Sequence, residues 1–169
     1  MNVEVVEEWR TRDLRRAVLR PNLPPDVPLP GDGLADGVHL AAVDDDGIVL
    51  GTCFVYPHGC PWQPDRVAAW HLRQMATAEG HRGLGIGGAV LEAAAAYVLA
   101  QRARLLWCNA RERAVPFYRR HGFAIHGGVF TDDRHPIPHQ RMWRELSELP
   151  TASTEVGRRK ADRSTEQVR

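Results

Sequence analysis

The chain of 169 residues is poor in features that would tie it to a membrane, a metal or an oxidising compartment. Its three cysteines, Cys53, Cys60 and Cys108, form no C-x-x-C pair, which excludes a disulfide framework and points to reduced thiols in a cytoplasm. No stretch approaches eighteen consecutive apolar residues, so no membrane span is expected. The opening MNVEVVEEWR lacks a positive region followed by an apolar run, so no secretory signal is expected either. Of 22 basic residues only Lys160 is a lysine, and the arginines are scattered through a chain of net charge +1. Such a balance gives no basic block for nucleic acid. The histidines show no metal-ligand spacing: His58-Gly59-Cys60 is too short and lacks further partners, so no metal is expected.

What is present suits one domain able to bury a core, with 43% hydrophobic and 25% charged residues. Val3–Glu7 has the pattern of a short strand, and Thr11–Leu19 that of a short helix with Asp13 near its positive end. The segment PNLPPDVPLP, 21 to 30, holds five prolines and is expected to be a stiff extended loop. Val38–Asp44 and Ile48–Tyr56 flank Asp45-Asp46-Gly47, a strong hairpin signal. After a turn-rich loop at 57 to 65, a strand from Ala68 to Thr77 leads into a glycine-rich stretch. Residues 87 to 102 are the clearest helix, with Val90, Leu91, Ala94 and Val98 on one face. Leu105–Ala110 reads as a buried strand. Ala114–His121 reads as a short helix, with Pro116 tolerable in its first turn and Gly122 placed as a left-handed cap. Phe123–Phe130 and Gln140–Leu146 read as closing strands around the loop Thr131–His139. The order predicts an α+β domain over 1–147, a largely antiparallel mixed sheet flanked by helices. Residues 148–169 are polar and aperiodic, as in a disordered tail.

The chemistry concentrates in EGHRGLGIGG, residues 79 to 88. A glycine-rich turn between a strand and a helix N-terminus presents backbone N–H groups to an anion, usually a phosphate. A P-loop would need Lys followed by Ser or Thr, and Gly88-Ala89-Val90 stands there instead. Gly83 to Gly88 formally satisfy the G-x-G-x-x-G dinucleotide pattern. That reading needs a carboxylate at the end of the following strand, and Cys108-Asn109-Ala110 supplies none.

Arg82-Gly83-Leu84-Gly85-Ile86-Gly87 also fits Arg/Gln-x-x-Gly-x-Gly/Ala. With "CNARERAVPFYRRHGF" at 108 to 123 and "IPHQRMWREL" near the end, the chain resembles the GCN5-related N-acetyltransferase (GNAT) superfamily over about Val38 to Leu146. The resemblance implies a fold in which acyl-coenzyme A lies in a cleft between central strands. The backbone of Arg82, Gly83, Leu84, Gly85, Ile86, Gly87 and Gly88 would cradle its pyrophosphate. Met75, Ala76 and Thr77 would pair with the pantetheine arm, and Asn109 would reach the same arm. Tyr118 would act as the general acid toward the departing thiolate, with Phe117 as its packing partner. Acetyl-coenzyme A would be the donor, attacked directly by a primary amine of a small molecule or peptide in a ternary complex. The resemblance does not identify the acceptor or the general base: His71, His135 and His139 are candidates, each with a structural role as the simpler reading. A homodimer stays compatible with the sequence, and a module that binds coenzyme A without catalysis is the alternative to an enzyme, ahead of a dinucleotide oxidoreductase.

Overall fold

A computed structural model describes residues 1–66, 68–133 and 135–147. The expected tail, 148–169, lies outside the described residues. Seven strands form one sheet in the order β1-β2-β3-β4-β5-β7-β6. They are β1 (Asn2–Val6), β2 (Val38–Val43), β3 (Val49–Pro57), β4 (Ala69–Thr77), β5 (Leu105–Arg111), β6 (Ala124–Phe130) and β7 (His139–Glu145). Only β4 and β5 run parallel; every other neighbour is antiparallel. The expected mixed, mainly antiparallel sheet is therefore present.

Helices α1 (Glu8–Leu19), α2 (Ile86–Ala100) and α3 (Val115–Arg120) divide between the two faces. Strand alternation decides the division. Leu40, Ala42, Cys53, Val55, Leu72, Leu106, Cys108 and Ala110 point into one core with Val90, Leu91, Ala94 and Val98 of α2 and with Tyr118 of α3. His39, Phe54 and Gln74 point the other way, toward α1. Alanines 93 to 96 give α2 a slim flank, and Gly51 lets β3 approach it: a Cβ on Gly51 would stand 2.6 Å from Ile86 Cγ2.

Two expectations need correction. Helix α1 begins at Glu8, a full turn before Thr11, so Asp13 lies mid-helix and Glu8 takes the favourable first turn. The proline-rich segment is a chain of turns, not an extended strap: Leu23 N–H donates to Arg20 O at 3.0 Å and Val27 N–H to Pro24 O at 3.1 Å. Proline at the second position of a β-turn is preset for that bend, as Pro25 is here. The hairpin at Asp44–Gly47 forms as expected, with Asp44 Oδ1 accepting from the N–H groups of Asp46 and Ile48 and Gly47 at φ +83°. Gly122, at φ +79°, follows α3 in the left-handed region its capping role requires.

A fully buried arginine fixes α1 to the sheet. Arg15 donates to Thr11 Oγ1 (2.9 Å), Asp32 Oδ1 (2.7 Å), Gln74 Oε1 (2.7 Å) and Glu8 O (3.3 Å). Gln74 is itself unusual, with φ +57° in a non-glycine residue, and sits where the β3–β4 register slips between Thr52 and Phe54. Arg15 thus holds a β-bulge in the middle of β4.

Candidate active site

Strands β4 and β5 pair only over Ala69–His71 with Leu105–Trp107. Beyond that they part, and from Arg73 to Thr77 the β4 edge facing β5 carries no ladder, while its other edge stays bound to β3 through Thr52–Ala76 and Gly51–Thr77. An open edge of backbone N–H and C=O groups inside a sheet is a template for an extended, peptide-like arm. Met75, Ala76 and Thr77 lie along it, and the bulge at Gln74 turns the strand at the point of separation.

The chain then folds directly into the glycine loop. Gly80, Gly83 and Gly85 have φ of +81°, +79° and +82°, a region costly for any residue with a Cβ. Gly85 is the left-handed N-cap of α2, with no side-chain cap on the first N–H groups of the helix. Those donors, with the positive end of the helix dipole, open onto a cavity of about 580 Å³ lined by Thr77, Arg82, Gly87, Phe117, Arg120 and His121 among others. Arg82 and Arg120 have no acidic partner among the described residues. Glu92, the carboxylate bonded to His121, is taken up by a bidentate pair with Arg144 at 2.8 and 3.1 Å. The cavity therefore keeps two free cations beside the helix N-terminus.

The loop residues differ in how they can take part. Leu84 projects into solvent at 68% exposure, whereas Ile86 is buried in the core against Gly51 and can offer only its backbone here. Gly87 would tolerate a Cβ by ordinary contact with Thr77 and Phe117. At Gly88 a Cβ would stand 2.9 Å from His121 Cε1, so a larger residue there would have to displace the imidazole. Phe117 and Arg120 reach the cavity from α3, and His121 from the cap that follows it. The basic and aromatic composition of α3 beside a glycine loop is the signal that could have added Arg120 and His121 to the set.

Tyr118 lies in the core on the α2 face, next to Phe117 of the cavity lining. It is 6% exposed and packs against Phe123 and Phe117, ring centroids 5.3 and 5.1 Å away. Burial, then the neighbouring thiols of Cys108 and Cys53, pushes its phenol well above the ordinary value. Tyr118 shares its core with Cys53 of β3 and Cys108 of β5, the two strands that flank β4. Its hydroxyl makes no hydrogen bond to another described residue. Cys108 is in the core, its thiol raised by burial, as expected for an inert packing residue.

Asn109 and the histidines occupy the opposite face. Asn109 Nδ2 stands 3.4 Å from His135 Nε2, and its Oδ1 is buried without a donor. His135 Nδ1 lies 2.8 Å from Asp132 Oδ1. His71 stacks on Trp107 with ring centroids 3.6 Å apart, and its Nδ1 is 2.9 Å from the Tyr56 hydroxyl. Burial, then Arg73 and nearby histidines, hold His71 well below its usual value, and burial lowers His139 despite its contact with Ile137 O. Both are poor proton acceptors. The described residues contain no cluster of three or more His, Cys, Asp or Glu placed to hold a metal ion.

A family model described as an acetyltransferase (GNAT) domain matches residues 35–125, more than half of the chain. The chain belongs to the GNAT acetyltransferase family. The matched residues span the open β4 edge, the glycine loop, α2 and the helix carrying Tyr118. Over 130 residues this GNAT chain is 25% identical to the uncharacterized N-acetyltransferase YitI of Bacillus subtilis (strain 168), covering 77% of this chain and 87% of that one. An aminoglycoside 6'-N-acetyltransferase solved with coenzyme A superposes with TM-score 0.70 at 14% identity, over 89% of this chain and 99% of that one. The aminoglycoside 6'-N-acetyltransferase of Enterococcus faecium gives 0.67 at 16%, over 89% and 99%. At such identities the structural likeness establishes the shared fold. No helix among the described residues is long and apolar enough to cross a membrane.

Proposed function

We propose that this GNAT chain, through a catalytic domain spanning 1–147, transfers an acetyl group from acetyl-coenzyme A to a primary amine by direct attack in a ternary complex. The open β4 edge next to a glycine-lined, cationic helix N-terminus carries this reading, because one cofactor needs both. Its pyrophosphate would take the N–H groups of Gly83 to Gly88, with Arg82 adding charge. Its amide-bearing arm would pair with Met75, Ala76 and Thr77, and a backbone N–H at that strand end would polarise the thioester carbonyl. Asn109, whose Oδ1 lacks a donor, would receive an N–H at the reactive end of the arm.

Tyr118 is assigned the acid role. A phenol that stays protonated at neutral pH keeps an O–H with which to hydrogen-bond or protonate the departing thiolate, and is not available there as a base. Of the histidines, His135 is best disposed to take a proton from the amine, because Asp132 engages Nδ1 and leaves Nε2 toward Asn109. Three free, buried thiols suit a reducing compartment, in keeping with the cytoplasm.

An acetyl-transfer assay that detects released thiol, run across amino acids, polyamines, aminoglycosides and peptide N-termini, tests the reaction. Tyr118→Phe should lower kcat by about two orders of magnitude with coenzyme A affinity unchanged. Full turnover in that variant would remove the acid role. A melting shift with NADH and none with acetyl-coenzyme A would sink the donor assignment.

A further inference from the structure

The face of the sheet opposite α2 carries a concentration of positive charge that the cofactor reading leaves unused. Cys108 and Ala110 point into the core under α2, so Asn109 and Arg111 point to the other side. Arg111 donates from Nη2 to Leu19 O at 3.0 Å, and Arg20 donates from Nη1 to the same oxygen at 2.9 Å. Two guanidinium groups thus converge on one carbonyl at the C-terminus of α1. Arg73 enters this face from β4, its Nη1 3.6 Å from where a Cβ on Gly31 would stand.

None of these three arginines has a carboxylate within ion-pair reach among the described residues. Two acids on the same face are already engaged: Asp32 with buried Arg15 at 2.7 Å, and Asp132 with His135 at 2.8 Å. The simpler account is that Arg20 and Arg111 cap α1. A helix C-terminus offers about half an elementary negative charge, which does not balance two full cations. The crowding registers on Arg111, whose pKa is lowered by burial and then by Arg113 and Arg20. Like charges gathered without counter-charge oppose folding, and one arginine would have sufficed for the cap.

The position of this cluster relative to the arm decides what could compensate it. It cannot be the phosphate cavity, which opens at the N-terminus of α2 across the sheet. Asn109, proposed to mark the reactive end of the arm, precedes Arg111 by two residues on the same side. That is about 7 Å along a strand, within the reach of one small molecule.

We propose that the Arg20–Arg111 pair binds an oxyanion, carboxylate or phosphate, carried by the acceptor close to its reacting amine. The enzyme then acetylates anionic amines and rejects polycations such as the aminoglycosides taken by its structural neighbours. This rests on the donor reading above.

The test uses the full chain, first titrated with coenzyme A and then, when saturated, with four probes: β-alanine, O-phosphoethanolamine, ethanolamine and spermidine. Saturation with coenzyme A keeps the probes out of the phosphate cavity. The expected result is a saturable rise in melting temperature with β-alanine or O-phosphoethanolamine and none with ethanolamine or spermidine. The first two probes separate a carboxylate site from a phosphate site. Arg111→Gln and Arg20→Gln should each weaken that response about tenfold or more, the worth of one charged hydrogen bond. Arg20 is exposed, so its variant removes charge without disturbing the core. Equal or stronger binding of ethanolamine or spermidine, no binding of either anionic amine, or an unchanged response in both variants overturns the inference. Those outcomes leave the donor reading standing if coenzyme A itself shifts the melting temperature; its failure to do so takes both away.

Discussion

The two faces of the sheet are built by different rules. On the α2 face, a contiguous loop and one helix supply backbone donors to a cavity, and the side chains mostly pack. On the α1 face, isolated residues from α1, β4, β5 and the loop before β7 meet through their side chains. The first arrangement suits a cofactor whose phosphates and amides are bound by main chain. The second suits a ligand recognised by charge and shape.

The contrast can be broken most severely at Arg15. Arg15→Met should cost about 3–5 kcal/mol, since it leaves Asp32 and Gln74 without their buried donor, and chemical denaturation reads it directly. Because Arg15 holds the Gln74 bulge, the surviving protein should also bind coenzyme A more weakly, although Arg15 lies on the α1 face. Unaltered coenzyme A affinity would show that the faces are independent.

Acid should weaken the α1 face before the other. His39 is buried beside Phe54, with Nδ1 3.4 Å from Thr11 Oγ1. Burial, then the Arg15 cation, holds its pKa down at about 4 against 6.5. Above pH 6.5 the ring is neutral in both folded and unfolded chains, so it contributes no slope. As pH falls from 6.5 to 4 the unfolded chain takes up the proton first, and stability declines by on the order of 3 kcal/mol. His71, shifted the same way, adds to the loss. Melting temperature followed across that window should flatten in His39→Phe; an identical slope would place the titration elsewhere.

Smaller effects belong to the glycine loop. Gly85→Ala forces a Cβ into φ +82° and should cost about 1–2 kcal/mol while weakening coenzyme A binding. Leu84→Ala, at an exposed position two residues from the helix start, should alter stability and affinity by under about 0.5 kcal/mol. Calorimetric titration with coenzyme A separates the two, and a large loss at Leu84 would show that its side chain covers the cofactor.

Legibility followed the same division. The hairpin at Asp44–Gly47, the loop at 83–88, the core face of α2 and the cap at Gly122 were all visible, because each depends on neighbours within a few residues. The first turn of α1 was missed for lack of a capping side chain: Glu7 makes no cap hydrogen bond. The turns in 21–30 were missed because prolines signal both extended chain and bends. Gln74 carried no sign of its left-handed backbone, which non-glycine residues adopt only when tertiary contacts impose it. Arg111 and Arg20 looked like ordinary solvated arginines, and Arg120 and His121 like the polar side of a short helix.

By itself the sequence determined the glycine loop at 83–88, the helix behind it and the order of strands and helices along the chain. Backbone recognition needs glycines and a helix start, and those are written consecutively. The tertiary structure alone decided which side chains meet on the α1 face. It brought Arg15 to Gln74 across 59 residues and Arg111 to Leu19 across 92. A charged side chain acquires a role only from what the fold places beside it, and no local pattern specifies a contact at that separation.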